Sequence, residues 1–517
     1  MNGAESLVRS LMASGVEVCF GNPGTSEMHF LAALDRIEGL RSVLCLFEGV
    51  ATGAADGYAR MTGRPAATLT HLGPGLANGL ANLHNARRAR SPIVNIVGDH
   101  ATHHRQYDSP LTSDVEAVAG TFSDWVRTSP TAEALAADVS AAVVAARTPP
   151  GQVASLILPA DVAWSAASAT AATEATPNWP APADVPEGRI DEVANTLRND
   201  GKSLLYITDQ ALTERGLDAA SRISKATGAD LLTPISNARI ERGAGRVAID
   251  RLRYPIDQAL EQLRPYKHII MVGTTEPVAF FAYPGKPSRL APAGSTCQVL
   301  ASTGEDLPGA LEMLAERLGA GTLMPEHESL ERPSAPSGSL AGDKIATAVA
   351  HHLPENAIVV DESISTGRHF FPYTRTAAPH TWLQIIGGAI GTGLPLAVGA
   401  AVACSDRKVV SLQADGSAMY TIQALWTQAR ENLDVTTVIL SNRAYAILQG
   451  EMTNVGVANP GRTGKSMMSL DDPPLDWVAL AKGMGIEAVA TGDAADFAQV
   501  LGKGIATPGP FLIEALI

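Results

Sequence analysis

Thiol chemistry has little to work with in this chain of 517 residues. Its four cysteines, Cys19, Cys45, Cys297 and Cys404, lie far apart and form no CxxC or Cys/His grouping. That spacing argues against a disulfide framework and a zinc site, and leaves the thiols as small buried hydrophobes. Aromatic residues are only 5% of the chain, so Ala, Val and Leu must fill the core. Long apolar runs are missing too. The best uncharged segment, Leu394 to Cys404, is far too short to cross a bilayer, and Glu5 and Arg9 interrupt the opening MNGAESLVRSLMASG where a secretory signal would be apolar. A cytoplasmic location, with no membrane partner, is expected. Basic charge is the last shortage: 39 Lys and Arg face 53 Asp and Glu, a formal net charge of -14. Such a field opposes nucleic acid, and the one local basic group is Arg87, Arg88 and Arg90.

What is present describes a soluble α/β enzyme: 45% apolar residues, 18% charged, and 47 Gly with 33 Pro. The length exceeds one hydrophobic core and predicts about three domains. Short apolar runs alternating with helical stretches predict parallel sheets with helices on both faces. In the first domain, residues 1–164, the expected strands are Val16 to Phe20, Val43 to Phe47, Ala66 to Leu72, Ile93 to Val97 and Ser155 to Leu158. Ser165 to Glu187, rich in Ala, Thr and Pro, reads as a linker. A smaller domain, 188–330, follows, with strands Leu204 to Ile207, Leu231 to Pro234, His268 to Val272 and Gln298 to Ala301, and helices Ile190 to Arg198 and Leu307 to Leu318. After the break Glu331 to Ser339, a third domain, 340–517, offers helix Ala341 to His352, strands Ala357 to Asp361, Val409 to Gln413 and Thr437 to Leu440, and the strand-like end PFLIEALI. The first and third share size and rhythm, which hints at duplication.

The most informative stretch is VVSLQADGSAMYTIQALWTQARENLDVTTVILSNRAYAIL, Val409 to Leu448. Its two buried strands each end in a short oxygen ligand, Asp415 with Gly416 and then Asn442, with Ala444 beyond. In a parallel sheet, ligands gather at the carboxyl ends of the strands, where helix N-termini present free N–H groups to anions such as a diphosphate. Magnesium prefers oxygen and commonly bridges a carboxylate to substrate phosphates. Asp415, the Asn442 amide oxygen and the Ala444 carbonyl therefore form a half-shell, and Gly416 lets the backbone come close. A second acid, Glu48 in LFEGVATGAADGYAR, follows an apolar strand at a strand-to-helix junction, where burial can raise a carboxyl's proton affinity.

Together these residues resemble the thiamine-diphosphate enzyme superfamily, whose fingerprint is Gly-Asp-Gly, a spacer and Asn-Asn. Ala414 stands where the family usually has its first Gly, and Ser441 where it has its first Asn, while Asp415, Gly416 and Asn442 keep the family's spacing. The resemblance extends over nearly the whole chain, nearest to benzoylformate decarboxylase, with acetolactate synthase next. It implies a pyrimidine-binding, a middle and a diphosphate-binding domain, with thiamine diphosphate and Mg2+ held between two subunits of a homodimer or homotetramer. By the same resemblance Glu48 protonates the cofactor's pyrimidine. Thr25 in FGNPGTSE falls in the substrate loop, and His71 in THLGPG at an active-site histidine. In GGAIGTGLPLAVGAA the Gly388 carbonyl and Ile390 would meet the bent cofactor, while Ser365, Ser417, Tyr420 and Tyr445 would face the diphosphate.

Plainer readings stand beside these. An Asp-Gly-Ser after a strand is usually only a turn with a helix cap, and a lone acid at a helix start is usually solvated and favoured by the dipole. Their joint occurrence with Asn442 and the Gly387 segment, in the expected order, outweighs those readings. His71 can bond a nearby carbonyl as a structural residue, and Thr25 can bond its own backbone. His100, His103 and His104 read as a polar loop, and the Gly243 to Gly245 pattern is too common to imply a nucleotide or flavin. One departure bears on mechanism: EPVAFFAYPG, Glu276 to Gly285, has Ala282 where the decarboxylase pattern has a second histidine, and Phe280 and Phe281 point to an apolar wall. The leading expectation is a non-oxidative decarboxylase or carbon-carbon lyase acting on a small 2-oxo acid. The GPG at Gly73 to Gly75 favours an acetolactate-synthase-like carboligase as the alternative. The altered Ala414 and Ser441 allow a third, a silent paralogue that assembles with an active partner.

Overall fold

The computed structural model describes residues 1–168, 179–199 and 201–517. Within the expected linker, residues 169–178 lie outside the described residues. The strands are β1 (Val18–Gly21), β2 (Arg41–Leu44), β3 (Ala66–His71), β4 (Ile93–Asp99), β5 (Trp125–Thr128) and β6 (Val153–Pro159), then β7 (Ser203–Ile207), β8 (Asp230–Thr233), β9 (Ile240–Arg242), β10 (Asp250–Arg251), β11 (His268–Val272) and β12 (Thr296–Ala301). The last group is β13 (Ala357–Glu362), β14 (His380–Gln384), β15 (Val409–Ala414), β16 (Val435–Ser441), β17 (Glu487–Thr491) and β18 (Phe511–Leu516). They form three sheets, ordered β2-β1-β3-β4-β6-β5, β10-β8-β7-β11-β12 and β17-β18-β16-β15-β13-β14-β9. Helices intervene between most strands, the doubly wound α/β arrangement expected from the alternating runs.

The strands with continuous apolar runs were legible; β5, β9, β14 and β17 were not. WVRT and HTWLQ mix polar with apolar residues, so neither the buried-run nor the alternating pattern stands out. The β9 strand also departs from pure parallel pairing: it joins the third sheet antiparallel to β14, with Arg242 opposite His380 and Ile240 opposite Trp382. A segment between the second sheet's strands thus caps an edge of the third, a covered edge being protected from pairing with other chains. The second strand is also displaced from expectation. It ends at Leu44, because the chain bends at Leu46 and Phe47 before the helix Glu48–Thr62 begins.

The first and third sheets share one core. Val50, Ala51 and Ala54 of the helix Glu48–Thr62 pack with Leu394, Leu396 and Val398 of the helix Gly393–Ala403. Both helices are rich in Ala and Gly, so their backbones approach closely; a Cβ on Gly399 would collide with the Ala54 carbonyl. This crossing ties the helix that opens with Glu48 to the helix that follows the Gly387–Thr392 loop. Among the described residues, no helix is long and apolar enough to cross a membrane.

Candidate active site

The loop after β1 and the turn after β3 bring Glu27 and His71 together. Glu27 is 1% exposed; its Oε2 accepts from Gly24 N at 2.7 Å and lies 2.9 Å from His71 Nδ1. A carboxylate only accepts, so Nδ1 carries the proton of this bond, and in the neutral ring Nε2 keeps the lone pair. The hydroxyl beside this pair belongs to Ser26, which donates to Glu27 Oε1 and lies 3.3 Å from His71 Nδ1. Thr25 itself is exposed. Glu48, 8% exposed, opens its helix and accepts from Asn78 Nδ2 at 3.0 Å through Oε2. Its other oxygen faces Gly75, where a Cβ would stand 2.8 Å from Glu48 Oε1 and 3.1 Å from His71 Cβ. Glycine at 75 thus leaves room between the Glu48 carboxylate and the Cβ of His71, whose ring lies against Gly24.

The second group sits at the carboxyl ends of β15 and β16. Asp415 is 3% exposed; Oδ1 accepts from Gly416 N at 2.8 Å and Oδ2 from Arg443 N at 2.7 Å. Burial pushes its carboxyl above the usual range, against the pull of those N–H groups. Among the described residues no ion pair to Asp415 occurs, and a buried charge without a counter-ion is costly. A divalent cation would fit that need. Asn442 Oδ1 accepts from Ala444 N at 3.0 Å, which leaves it a lone pair beside the acid. No cluster of three His, Cys, Asp or Glu suited to a metal exists among the described residues, His100, His103 and His104 included. The carboxylate of Asp415 and the amide oxygen of Asn442 are oxygen donors of the kind magnesium completes with phosphate oxygens and water. Gly416 is buried against Tyr445, whose ring a Cβ there would strike. Ser417 is buried, Tyr420 exposed, and Ser365 half-buried at the start of the short helix Thr366–His369.

The loop from Gly387 to Thr392 bonds to both groups. On one side His84 Nε2 donates to Gly387 O at 3.0 Å, Asn85 Nδ2 to Ala389 O at 2.7 Å, and Asn82 Nδ2 to Gly391 O at 3.2 Å. Asn82 also donates to Gly49 O at 2.7 Å, next to Glu48. On the other, Thr421 Oγ1 donates to Gly391 O at 2.9 Å, and Glu362 accepts from Gly391 N at 2.7 Å and Gly393 N at 2.6 Å. Gly388 lies against Phe280, whose Cζ would be 3.1 Å from a Cβ at that position; Ile390 is half-buried beside it. Phe280 packs on Phe281 at 4.8 Å and on Tyr254 at 5.8 Å between ring centroids. Tyr254 and Tyr283 both donate to Glu451 on the helix Ala446–Asn454. In the stretch that holds Ala282, Phe280 and Phe281 are 47% and 54% exposed and form an aromatic patch beside Gly388.

Glu27, Asn78, Asn82 and Glu362 were missed in the sequence. Glu362 had a visible signal, since it ends an apolar strand in VVDES much as Asp415 follows one in SLQAD. Asn78 and Asn82 lie inside a helix, one turn apart, where polar residues ordinarily face solvent.

Three sheets, two of them carrying buried acids at strand ends or helix starts on either side of a glycine-rich loop, define a thiamine-diphosphate-dependent enzyme once the relatives are considered. Residues 1–122 match the N-terminal TPP-binding domain of thiamine pyrophosphate enzymes, and 365–515 the C-terminal TPP-binding domain. The chain belongs to the thiamine pyrophosphate enzyme family. It is 50% identical to a Mycobacterium tuberculosis protein named "Putative acetolactate synthase large subunit IlvX", over 100% of this chain and 99% of the relative. Benzoylformate decarboxylase of Pseudomonas aeruginosa is 29% identical over 98% of this chain and 96% of its own. The solved 4-hydroxybenzoylformate decarboxylase of Rhodococcus jostii RHA1, 24% identical and superposing with a TM-score of 0.88 over 100% of this chain and 99% of that one, shares the fold.

Proposed function

We propose that this enzyme removes carbon dioxide from a 2-oxo acid without oxidation, and releases the remaining acyl carbon as an aldehyde. The observation that carries the reading is the bond between buried Glu27 and half-buried His71, with Gly75 in contact with both Glu48 and the His71 Cβ. Loss of carbon dioxide leaves the former carbonyl carbon in need of one proton, and His71, oriented through Nδ1, has Nε2 to carry it. When bound, thiamine diphosphate supplies the carbon nucleophile and the electron sink for breaking the bond to the carboxylate.

The chain's own residues hold and orient it. Asp415, Asn442 and the Ala444 carbonyl take Mg2+; Gly416, Ser417, Tyr420, Tyr445 and Ser365 face the diphosphate. The Gly388 carbonyl and Ile390 meet the pyrimidine and the bend, and Glu48 holds the proton shared with the pyrimidine on Oε1, the oxygen Asn78 leaves free. Thr25 lies in the loop that meets the substrate. Phe280 and Phe281 form its apolar side. Two chains of a homodimer, or a homotetramer of such dimers, complete the site, because Glu48 and Asp415 act on one cofactor from different subunits.

A second reading is favoured by the relative sharing half of its residues with this chain, and by Ala282: with a single histidine, the acyl carbon joins a second 2-oxo acid in place of a proton. Proton NMR of the protein with thiamine diphosphate and Mg2+, fed pyruvate or benzoylformate, tests both. Aldehyde that disappears in Asp415→Ala supports decarboxylation; acetolactate or acetoin supports carboligation. No product on any 2-oxo acid, despite bound cofactor, would refute both and leave a silent paralogue.

A further inference from the structure

Glu362 ends β13 with its carboxylate 1% exposed and no cation paired to it among the described residues. Its Oε1 accepts from Gly391 N at 2.7 Å and its Oε2 from Gly393 N at 2.6 Å, with Thr392 N adding a third bond. These three consecutive N–H groups begin the helix Gly393–Ala403 and end the loop that carries Gly388 and Ile390. The same Gly391 peptide is held at its oxygen by Asn82 and Thr421. Gly391 has φ +89, a conformation glycine adopts readily and other residues rarely do. Burial pushes the Glu362 carboxyl up to about 7, with Asp361 adding like charge and the three N–H groups opposing. A carboxylate kept inside the protein under those conditions is costly, and costly groups concentrate where geometry must be exact to a fraction of an ångström.

We propose that Glu362 is a positioning residue: its carboxylate clasps the N–H groups of Gly391, Thr392 and Gly393 and so fixes the Gly388–Ile390 stretch against the cofactor. The bidentate grip sets the loop's height above the sheet, while Asn82 and Thr421 set its rotation. Glutamine at 362 would turn one oxygen into an N–H donor facing an N–H, breaking part of the clasp without a change of size. Aspartate would keep the charge but retreat by one methylene. The proposal rests on the reading that Gly388 and Ile390 meet thiamine diphosphate.

Hydrogen exchange of the full-length cofactor-free protein tests the clasp, and thiamine diphosphate affinity in Mg2+ tests its purpose, on wild type, Glu362→Gln and Glu362→Asp. In Glu362→Gln, amide protection over 391–393 should fall about tenfold with β13 and β15 unchanged, cofactor affinity should fall about tenfold, and Glu362→Asp should recover part of both. At saturating cofactor, kcat should fall while the substrate KM holds. Unchanged protection and affinity in a folded Glu362→Gln protein would overturn the proposal, as would unchanged values in Glu362→Asp if the glutamine variant does not fold. Loss of protection spread through β13 and β15 would also overturn it, as a purely structural role. Looser amides with cofactor affinity intact would refute positioning while leaving the function reading untouched. Failure of the wild type to bind thiamine diphosphate would instead overturn the function reading and this proposal's purpose together, with exchange still reporting whether the clasp exists.

Discussion

Glu27→Gln is the sharpest perturbation the site allows, because it changes charge and leaves shape. Glu27 receives Gly24 N, His71 Nδ1 and the Ser26 hydroxyl, and its side chain is fully buried. Glutamine can keep its oxygen toward Gly24 and His71 and turn its amide to Ser26, whose hydroxyl can accept. The geometry therefore survives, while the carboxylate that steadies His71 each time the ring takes a second proton is gone. A hydrogen bond to a charged partner is worth about 1.5–3 kcal/mol, which converts to a loss of about 10- to 100-fold in the step that protonates the product. Carbon dioxide release precedes that step and should fall much less. Rapid-quench measurement of carbon dioxide alongside aldehyde formation, on a 2-oxo acid the wild type turns over, separates the two. Aldehyde formation within twofold of wild type would refute the role given to the pair, and an equal fall in both products would move His71 to the earlier step.

Phe280→Ala removes the ring that lies on Gly388 and its partners Tyr254 and Phe281. An aromatic pair contributes about 0.5–1.5 kcal/mol, so kcat/KM for an aromatic 2-oxo acid should drop about 2- to 10-fold relative to pyruvate in steady-state assays. Gly399→Ala drives a methyl into the Ala54 carbonyl where two helices cross; overpacking of this kind costs about 1–3 kcal/mol and should lower Tm by a few degrees in calorimetry. Glu362 makes stability depend on pH. Its folded pKa of about 7 exceeds the model-peptide 4.5, so the folded state binds the proton more tightly. Its contribution is full below about 4.5 and is lost as pH rises through 7, on the order of 3 kcal/mol in all. Cofactor-free wild type should therefore lose stability relative to Glu362→Gln between pH 5 and pH 8 in denaturant titrations, and parallel curves would refute the shift.

The fold was legible where its strands are buried on both faces. AATLTH, IVNIVGD and AIVVDE are apolar for most of their length because helices cover both sides of the sheets, and length alone separates them from helices. Strands that pair at a sheet's margin, such as β5, β9 and β17, keep polar residues and lack that signature. The site divides along a similar line. Asp415, Asn442 and Glu48 stood out because each is an oxygen-bearing side chain just past a strand end or at a helix start, where a parallel sheet opens a crevice. Residues that act through another residue did not. Glu27 is within a three-residue helical turn, and only folding brings it together with His71, 44 positions further along the chain. Glu362 bonds N–H groups 29 and 31 residues away, a relation carried by the spacing of β13 and the helix Gly393–Ala403 rather than by any local pattern. Ligands announce themselves because their chemistry is local to an element's end, whereas the groups that aim them are defined only by tertiary distance. Here those aiming groups surround a glycine-rich loop with few side chains of its own, so its position draws on carboxylates and amides such as Glu362, Asn82 and Asn85 that bond its backbone directly.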